Sequence, residues 1–285
     1  MAINKFLNPV FIYKHRDRIL PFLKIKTKVF YNRWQDAAAR HSAKSGVYVT
    51  GNYNKILSYK DRYRGERCFV IGNGPSLKIS DLDRLKGEKT FAANRIYLAF
   101  EETGWRPTFY FVEDALVFRR DQEEVKKLKG MVKFFPRQSK IWGSLIPDGH
   151  YYNLIYEKYY PGLSKFSRDP LRGFYWGATV VYSFLQSAVF MGFKKIYMIG
   201  MDFSFTHNKK AVGKDVFVTS KGEKDHFHKD YRKPGEVYHA PRLYLQEKSF
   251  AAAKIAAEKL GVNIYNATRG GKLEVFERVD LEKIL

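Results

Sequence analysis

From Cys68 onward, short apolar runs alternate with polar stretches. The runs "CFVIG" (68–72), "TFAAN" (90–94), "FYFVE" (109–113) and "MVKFF" (131–135) are almost continuously apolar. That pattern predicts strands buried on both faces. The longer segment from Tyr175 to Met191 has helix length, and Gly192 stands where a left-handed residue ends a helix. A further buried strand is predicted in "KKIYMIG" (194–200). Phe250, Ala253, Ala257 and Leu260 recur at spacings of three and four, predicting a helix over 241–260 that Gly261 stops before a strand in "VNIYNA" (262–267). Strands and helices in this alternation call for a parallel sheet covered on both faces. The expected fold class is α/β, with one doubly wound, mainly parallel sheet over residues 68–285.

Residues 1–67 lack this pattern. There Phe11, Ile12, Ile19, Leu20, Phe22, Leu23, Val29, Phe30 and Trp34 alternate with cations, and Pro21 divides the stretch into two short helical pieces. Charge sharpens the difference. The 285-residue chain carries 51 Lys/Arg against 29 Asp/Glu, a net +22. Half of that excess, +11, falls in residues 1–67, where 15 basic residues face only Asp17, Asp36, Asp61 and Glu66. Bulky apolar residues among cations suit a basic helical extension lying on an anionic membrane, each cation contributing ~1 kcal/mol near the surface. A packed extension, a phosphate-binding arm for nucleic acid and a contact between copies of the chain (a homo-oligomer) compete with that reading. No nucleic-acid motif is present, so nucleic acid is not an expected partner.

Composition excludes other classes. A hydrophobic content of 45%, with 23 Phe and 20 Tyr, supplies a core and excludes a disordered chain. The single cysteine, Cys68, excludes a disulfide framework and a Cys-based zinc cluster, and points to a reducing compartment. No apolar run approaches the ~18 residues of a membrane span. The expected location is cytoplasmic, peripheral at the inner face of the cytoplasmic membrane.

The most informative stretch is "CFVIGNGPSLKISDLDRL". A strand ends at Gly72, the tight turn Asn73-Gly74-Pro75-Ser76 follows, and a helix begins soon after. Gly72 and Gly74 let the backbone turn sharply and approach a ligand, with the amides of Ser76 and Leu77 facing an anion. Pro75 and Leu77 depart from G-x-G-x-x-G, and no Gly-Lys-Ser/Thr follows as in a P-loop. The turn reads as a phosphate- or nucleotide-cradling first βα connection, with a plain glycine turn as the alternative. Asp202 ends a strand at the carboxyl edge of the sheet, where it touches a ligand or caps the next turn.

Four of the seven histidines, His207, His226, His228 and His239, lie within 33 residues, in a loop that also carries Lys209, Lys210, Lys214, Lys221 and Lys224. General acid–base work, phosphate contact, a metal site through His226 and His228, and solvated loop residues all fit them. No Cys cluster or His-x-x-x-His supports zinc, and no metal is assigned. His15, His41 and His150 are expected at the surface.

"VIGNGPSL", "AANRIYLAF", "GFKKIYMIGMDFSF" and the histidine upstream of "NIYNAT" together resemble the bacterial sialyltransferases of glycosyltransferase family 42. The chain is more similar still to the related proteins described as 6-hydroxymethylpterin diphosphokinase-like (the DUF115 group), which share "DHFHKDY" and closing sequences like "NIYNATRGGKLEVFERVDLEKIL". The resemblance covers roughly residues 68–281 and implies a Rossmann-like, sialyltransferase-like domain.

It also implies a nucleotide-sugar donor held by Gly72, Asn73, Gly74, Pro75 and Ser76, with Asn94 on the nucleotide and Thr179 before the long helix. Where the family carries a third asparagine this chain has Val112-Glu113-Asp114, which puts carboxylates beside the donor and admits a different donor or a bound cation. His239 matches the family's general base, a histidine opening the helix before the last strand. Ser204 replaces the first of two tyrosines that steady the departing phosphate, leaving His207, His226, His228, Tyr231 and Arg242 as replacements. The implied activity is transfer of a CMP-activated nonulosonic acid or Kdo-like sugar to a cell-surface glycan or lipid-linked acceptor, with no cofactor required. The alternatives are a Mg²⁺-dependent pterin diphosphokinase and a non-catalytic nucleotide-binding module.

Overall fold

The computed structural model describes residues 51–206 and 217–285. Most of the basic front segment, with His15 and His41, lies outside the described residues, as do His207, Lys209, Lys210 and Lys214.

Helix α1 (Gly51–Leu57) leads into β1 (Arg67–Ile71), α2 (Ile79–Arg84), β2 (Thr90–Ala93), a 3₁₀ segment (Asn94–Glu101) and β3 (Phe109–Phe111). The chain continues through α3 (Ala115–Lys127), β4 (Val132–Pro136), α4 (Ser139–Trp142), β5 (Gly149–Tyr152), β6 (Leu154–Ile155), β7 (Phe174–Tyr175) and α5 (Val180–Met191). It ends with β8 (Lys195–Ile199), β9 (Phe217–Thr219), β10 (Val237–His239), α6 (Leu243–Glu258), β11 (Asn263–Asn266) and β12 (Glu277–Arg278). Eight strands form one sheet in the order β12-β11-β8-β1-β2-β3-β4-β5, and every neighbouring pair is parallel.

Both faces of the sheet are covered, as the unbroken apolar runs require. In β1, Cys68 and Val70 join the core layer with Phe184, Leu185 and Ala188 of α5 and Phe250 and Ala253 of α6. Phe69 and Ile71 point the other way, to Leu82 of α2 and Phe118 and Val125 of α3. Burying each such side chain contributes roughly 1.5–3 kcal/mol, and the alternation lets one strand do so on both sides. The α/β, doubly wound expectation is borne out.

Two local expectations are corrected. The helix predicted from Tyr175 begins at Val180, because Ala178 has φ +61° and Thr179 is extended, its hydroxyl accepting the Val181 amide at 3.3 Å. Phe174–Tyr175 instead pairs with Leu154–Ile155. His150, expected at the surface, is half-buried in β5 between Phe134 (centroids 5.0 Å apart) and Tyr59 (5.7 Å), and burial lowers its pKa.

Residues 51–66, grouped by charge with the front segment, pack on the sheet domain. Tyr63 stacks on Phe193 at 4.9 Å, and its amide donates to Met191 O at 2.9 Å. No helix among the described residues is long and apolar enough to cross a membrane.

Candidate active site

From β1 the chain steps outward through β2 to β5, then returns to β8 on the other side of β1. The loops leaving the carboxyl ends of β1 and β8 therefore diverge, and a crevice opens between them. A pocket of about 150 Å³ lies there, lined by Gly72, Asn73 and Gly74 after β1, Asn94 after β2, Thr179 and Val181 at the start of α5, and Gly200 to Phe205 after β8. Asp225, His226, Tyr231 and Gln246 of α6 close it. A whole-ligand cleft is typically ~300–1,000 Å³, so this pocket has room for one part of a nucleotide-sized molecule.

The turn after β1 is shaped by its neighbour strand. A Cβ on Gly72 would lie 2.2 Å from Gly200 O, and one on Gly74 would lie 1.9 Å from Asp202 Oδ2. Asp202 accepts the Ser76 hydroxyl at 2.7 Å and the Ser76 amide at 3.3 Å. The Leu77 amide donates to Gly74 O at 3.1 Å. The expectation that these two amides face an external anion is therefore corrected: the carboxylate at Ser76 is the chain's own. Pro75 and Ser76 do not line the pocket. Backbone strain gathers around it, since Asn94 (φ +55°), Ala178 (+61°) and Phe203 (+52°) adopt the left-handed conformation without being glycine.

The segment 225–231 is fastened to this turn. Phe227 N donates to Asn73 O at 3.0 Å, and Asn73 Nδ2 donates to Ala93 O at 3.1 Å and to the Tyr231 hydroxyl at 3.0 Å. The His226 ring stacks on Tyr231 with centroids 3.9 Å apart and planes within 7°. Burial, then the charges of Arg232 and Arg95, lowers the His226 pKa to about 3, so its imidazole is neutral at physiological pH. His228 is turned away from the pocket. It caps the turn Lys229–Tyr231 by accepting the Asp230 amide at 3.1 Å, with Glu102 Oε1 3.7 Å from its Nε2. The HFH pair thus shares no ligand position.

His239 and Asp114 lie outside the pocket lining but on the same carboxyl edge. His239 ends β10, four residues before α6 begins at Leu243, so it precedes the helix rather than opening it. Its Nδ1 lies 3.1 Å from Asp114 Oδ2, and its ring packs on Phe217 at 4.9 Å. Asp114 Oδ1 caps α3 by accepting the Leu116 amide at 2.7 Å and the Val117 amide at 3.2 Å. Burial alone would raise the Asp114 carboxyl. The hydrogen bond and charge of His239 and the two α3 amides outweigh it and hold the pKa below the usual range.

Glu113 points the opposite way, into the core, where it accepts the Tyr152 hydroxyl. Burial outweighs the hydrogen bond from the Tyr152 hydroxyl and pushes its pKa up to about 7. The paired carboxylates expected from Glu113-Asp114 are thus split between the two faces of the sheet. A stability consequence follows. The unfolded chain releases this proton near 4.5 and the folded chain near 7, so stability falls as pH rises across that window, by about 3 kcal/mol. Glu113→Gln should match the parent near pH 4.5 and exceed it by that order above pH 7. Urea midpoints from pH 4 to 9 check this, and parallel curves for the two proteins would contradict it.

Arg95 was not among the predicted site residues. Its guanidinium forks onto Asp121 at 2.8 and 3.0 Å and donates to Tyr231 O at 2.7 Å and Glu236 at 3.2 Å. This ties the segment after β2 to the 225–231 loop and to the β9–β10 hairpin. The available signal was a lone cation inside the apolar run "TFAANRIYLAF".

The family model described as 6-hydroxymethylpterin diphosphokinase MptE-like matches residues 47–208. No curated protein matches the chain. Among solved structures, the chain is similar to the MAf glycosyltransferase from Magnetospirillum magneticum AMB-1, at 16% identity and TM-score 0.48, over 83% of this chain and 40% of that one. It is also similar to the sialyltransferase CstII from Campylobacter jejuni in complex with the substrate analogue CMP-3FNeuAc, at 14% identity and TM-score 0.40, over 75% of this chain and 86% of that one.

Proposed function

The chain belongs to the 6-hydroxymethylpterin diphosphokinase MptE-like family, and from that premise we propose that it is a glycosyltransferase using a nucleotide-activated sugar, with His239 as general base. The observation that carries this reading is the 3.1 Å contact between His239 Nδ1 and Asp114 Oδ2 on the sheet edge that also bears the Gly72–Ser76 turn. A carboxylate on Nδ1 fixes the tautomer in which Nε2 is basic, and it steadies the imidazolium formed when Nε2 takes a proton. The step is a displacement: an acceptor hydroxyl bonds to the anomeric carbon and its proton passes to His239 Nε2. The bond from that carbon to phosphate breaks, and the phosphate leaves with the electron pair. The resemblance of the Gly-Asn-Gly-Pro-Ser turn to that of the family 42 sialyltransferases makes a CMP-linked acidic sugar the proposed donor. A cell-surface or lipid-linked glycan as acceptor, and membrane association through the basic front segment, complete the proposal.

A second reading, phosphoryl transfer to a pterin, takes its support from the family description. It would require Mg²⁺ and ATP, and the carboxylates expected to hold that ion each have a partner within the chain. Glu113 serves Tyr152, Asp114 serves His239 and Asp202 serves Ser76. Among the described residues no three His, Cys, Asp or Glu converge.

Thermal shift with CMP, CDP, UDP, GDP and ATP, each with and without Mg²⁺, separates the readings. CMP at 100 times its Kd should stabilise by about 2.7 kcal/mol, or roughly 5–10 °C for a domain of this size. Stabilisation by ATP with Mg²⁺ and not by CMP would reverse the assignment, and a flat response to every nucleotide would remove both.

A further inference from the structure

Three polar atoms of pocket-lining residues, Asn73 Oδ1, Asn94 Oδ1 and His226 Nδ1, are buried and have no hydrogen-bond partner among the described residues. Buried polar groups are almost always paired, so three orphans among the pocket-lining residues point to a ligand that supplies the partners. The Asn73 amide is not free to turn, because its Nδ2 already donates to Ala93 O and to the Tyr231 hydroxyl. Its oxygen is thereby committed to accept. His226 is held flat against Tyr231 by the stack, so the direction of its Nδ1 is fixed as well.

The charge around these atoms restricts what can enter. Asp202 and Asp225 line the pocket, and Asp225 is buried and held by the Thr206 hydroxyl at 2.7 Å. None of the described lining residues is Lys or Arg. Among the described lining residues a phosphate would meet carboxylates and amide oxygens and no Lys or Arg, whereas an uncharged group bearing N–H or O–H donors would satisfy the two amide oxygens.

We propose that His226, backed by Tyr231, is a nucleoside-reading residue: its Nδ1, with Asn73 Oδ1 and Asn94 Oδ1, pairs with an uncharged edge of a nucleoside while the phosphates lie outside the pocket. This rests on the nucleotide-dependent reading above and assigns His226 to ligand specificity, not to proton transfer. Two parts of a nucleoside offer such donors, the exocyclic amino group of a base and the vicinal hydroxyls of ribose. A neutral imidazole can meet either one, since Nδ1 donates or accepts according to tautomer.

The test is titration calorimetry and thermal shift with cytidine, adenosine, guanosine and uridine, the 2′,3′-dideoxy counterpart of each that binds, and inorganic pyrophosphate. At least one nucleoside should bind without any phosphate. Loss of binding in the dideoxy form identifies the ribose hydroxyls. Retention there, with uridine inactive, identifies the amino group. His226→Phe keeps the stack and removes the nitrogen, so it should weaken nucleoside binding about tenfold, the equivalent of one hydrogen bond. It should also leave Tm unchanged or raised, because the deleted atom is an unpaired one; a residue of purely structural importance would lower Tm. His226→Asn keeps a polar atom near the Nδ1 position and should retain binding, which keeps the test decisive if the Phe variant folds poorly. Unaltered affinity in His226→Phe, or pyrophosphate binding where nucleosides do not, overturns the assignment. If whole nucleotides bind and nucleosides do not, this subsite fails while the transferase reading stands; if no nucleotide binds, that reading fails first.

Discussion

His239→Ala is expected to lower kcat by ~10²–10⁴ while leaving the nucleotide-induced thermal shift intact, the usual range for deleting a general base. The two readouts separate because His239 and Asp114 stand outside the pocket that holds the turn and its asparagines. Asp114→Asn refines the experiment. Asparagine caps a helix as well as aspartate does, so α3 should keep its cap and its stability. The variant loses the negative charge that steadies the imidazolium, and kcat should fall by at least about tenfold with Tm nearly constant. Release of the nucleoside monophosphate from the donor found by nucleotide screening is the measurement. Turnover unchanged in His239→Ala would end its assignment as base, whatever the fate of the nucleotide site.

Arg95→Ala should cost roughly 3–5 kcal/mol of folding stability, the range for removing one partner of a buried ion pair. The side chain is about one-tenth exposed and Asp121 less so. Arg120 compensates only in part, through its own contacts to Asp121 at 3.1 Å and Glu236 at 2.9 Å. Because Arg95 also holds Tyr231 O, the loss reaches the wall of the pocket, and nucleotide affinity should fall with stability. Replacing Arg95 and Asp121 together by apolar residues of similar volume should recover much of the stability, since no unpaired carboxylate is then buried, but not the affinity. Urea unfolding of the single and double variants tests this. A loss below ~1 kcal/mol for Arg95→Ala would mean that the network positions nothing.

Much of this fold was legible in the sequence. Continuous apolar runs such as "CFVIG" can be satisfied only by a strand covered on both faces, and a helix with apolar residues on every side must lie between layers. Those constraints act locally, through burial and period, and together they demanded the parallel α/β sheet. Local capping was legible too, in Gly192, although Ala178 in a left-handed conformation and the Thr179 cap shortened the helix in a way that no propensity signals. The short strands β9 and β10 were missed because each is three residues long and Tyr238 alone among their residues is buried. They matter here, since β10 carries His239.

What the sequence determined by itself was the inventory of the site: a glycine turn that begins the sheet, asparagines and an aspartate at strand ends, and histidines gathered in one loop. Which of these meet was decided by the tertiary structure alone. Asp114 and His239 are 125 residues apart along the chain, and only the return of the chain beside β3 brings them to 3.1 Å. Asp202 closes on Ser76 because β8 lies beside β1, at the point where the strand order reverses. Glu113 and Asp114, neighbours in sequence, separate because successive residues leaving a strand face opposite sides of the sheet. His226 and His228 part because one stacks on Tyr231 while the other caps its turn. The order of residues sets which chemistry is available; contacts across the sheet choose partners, because hydrogen bonding and desolvation depend on what lies within a few ångströms and not on spacing along the chain.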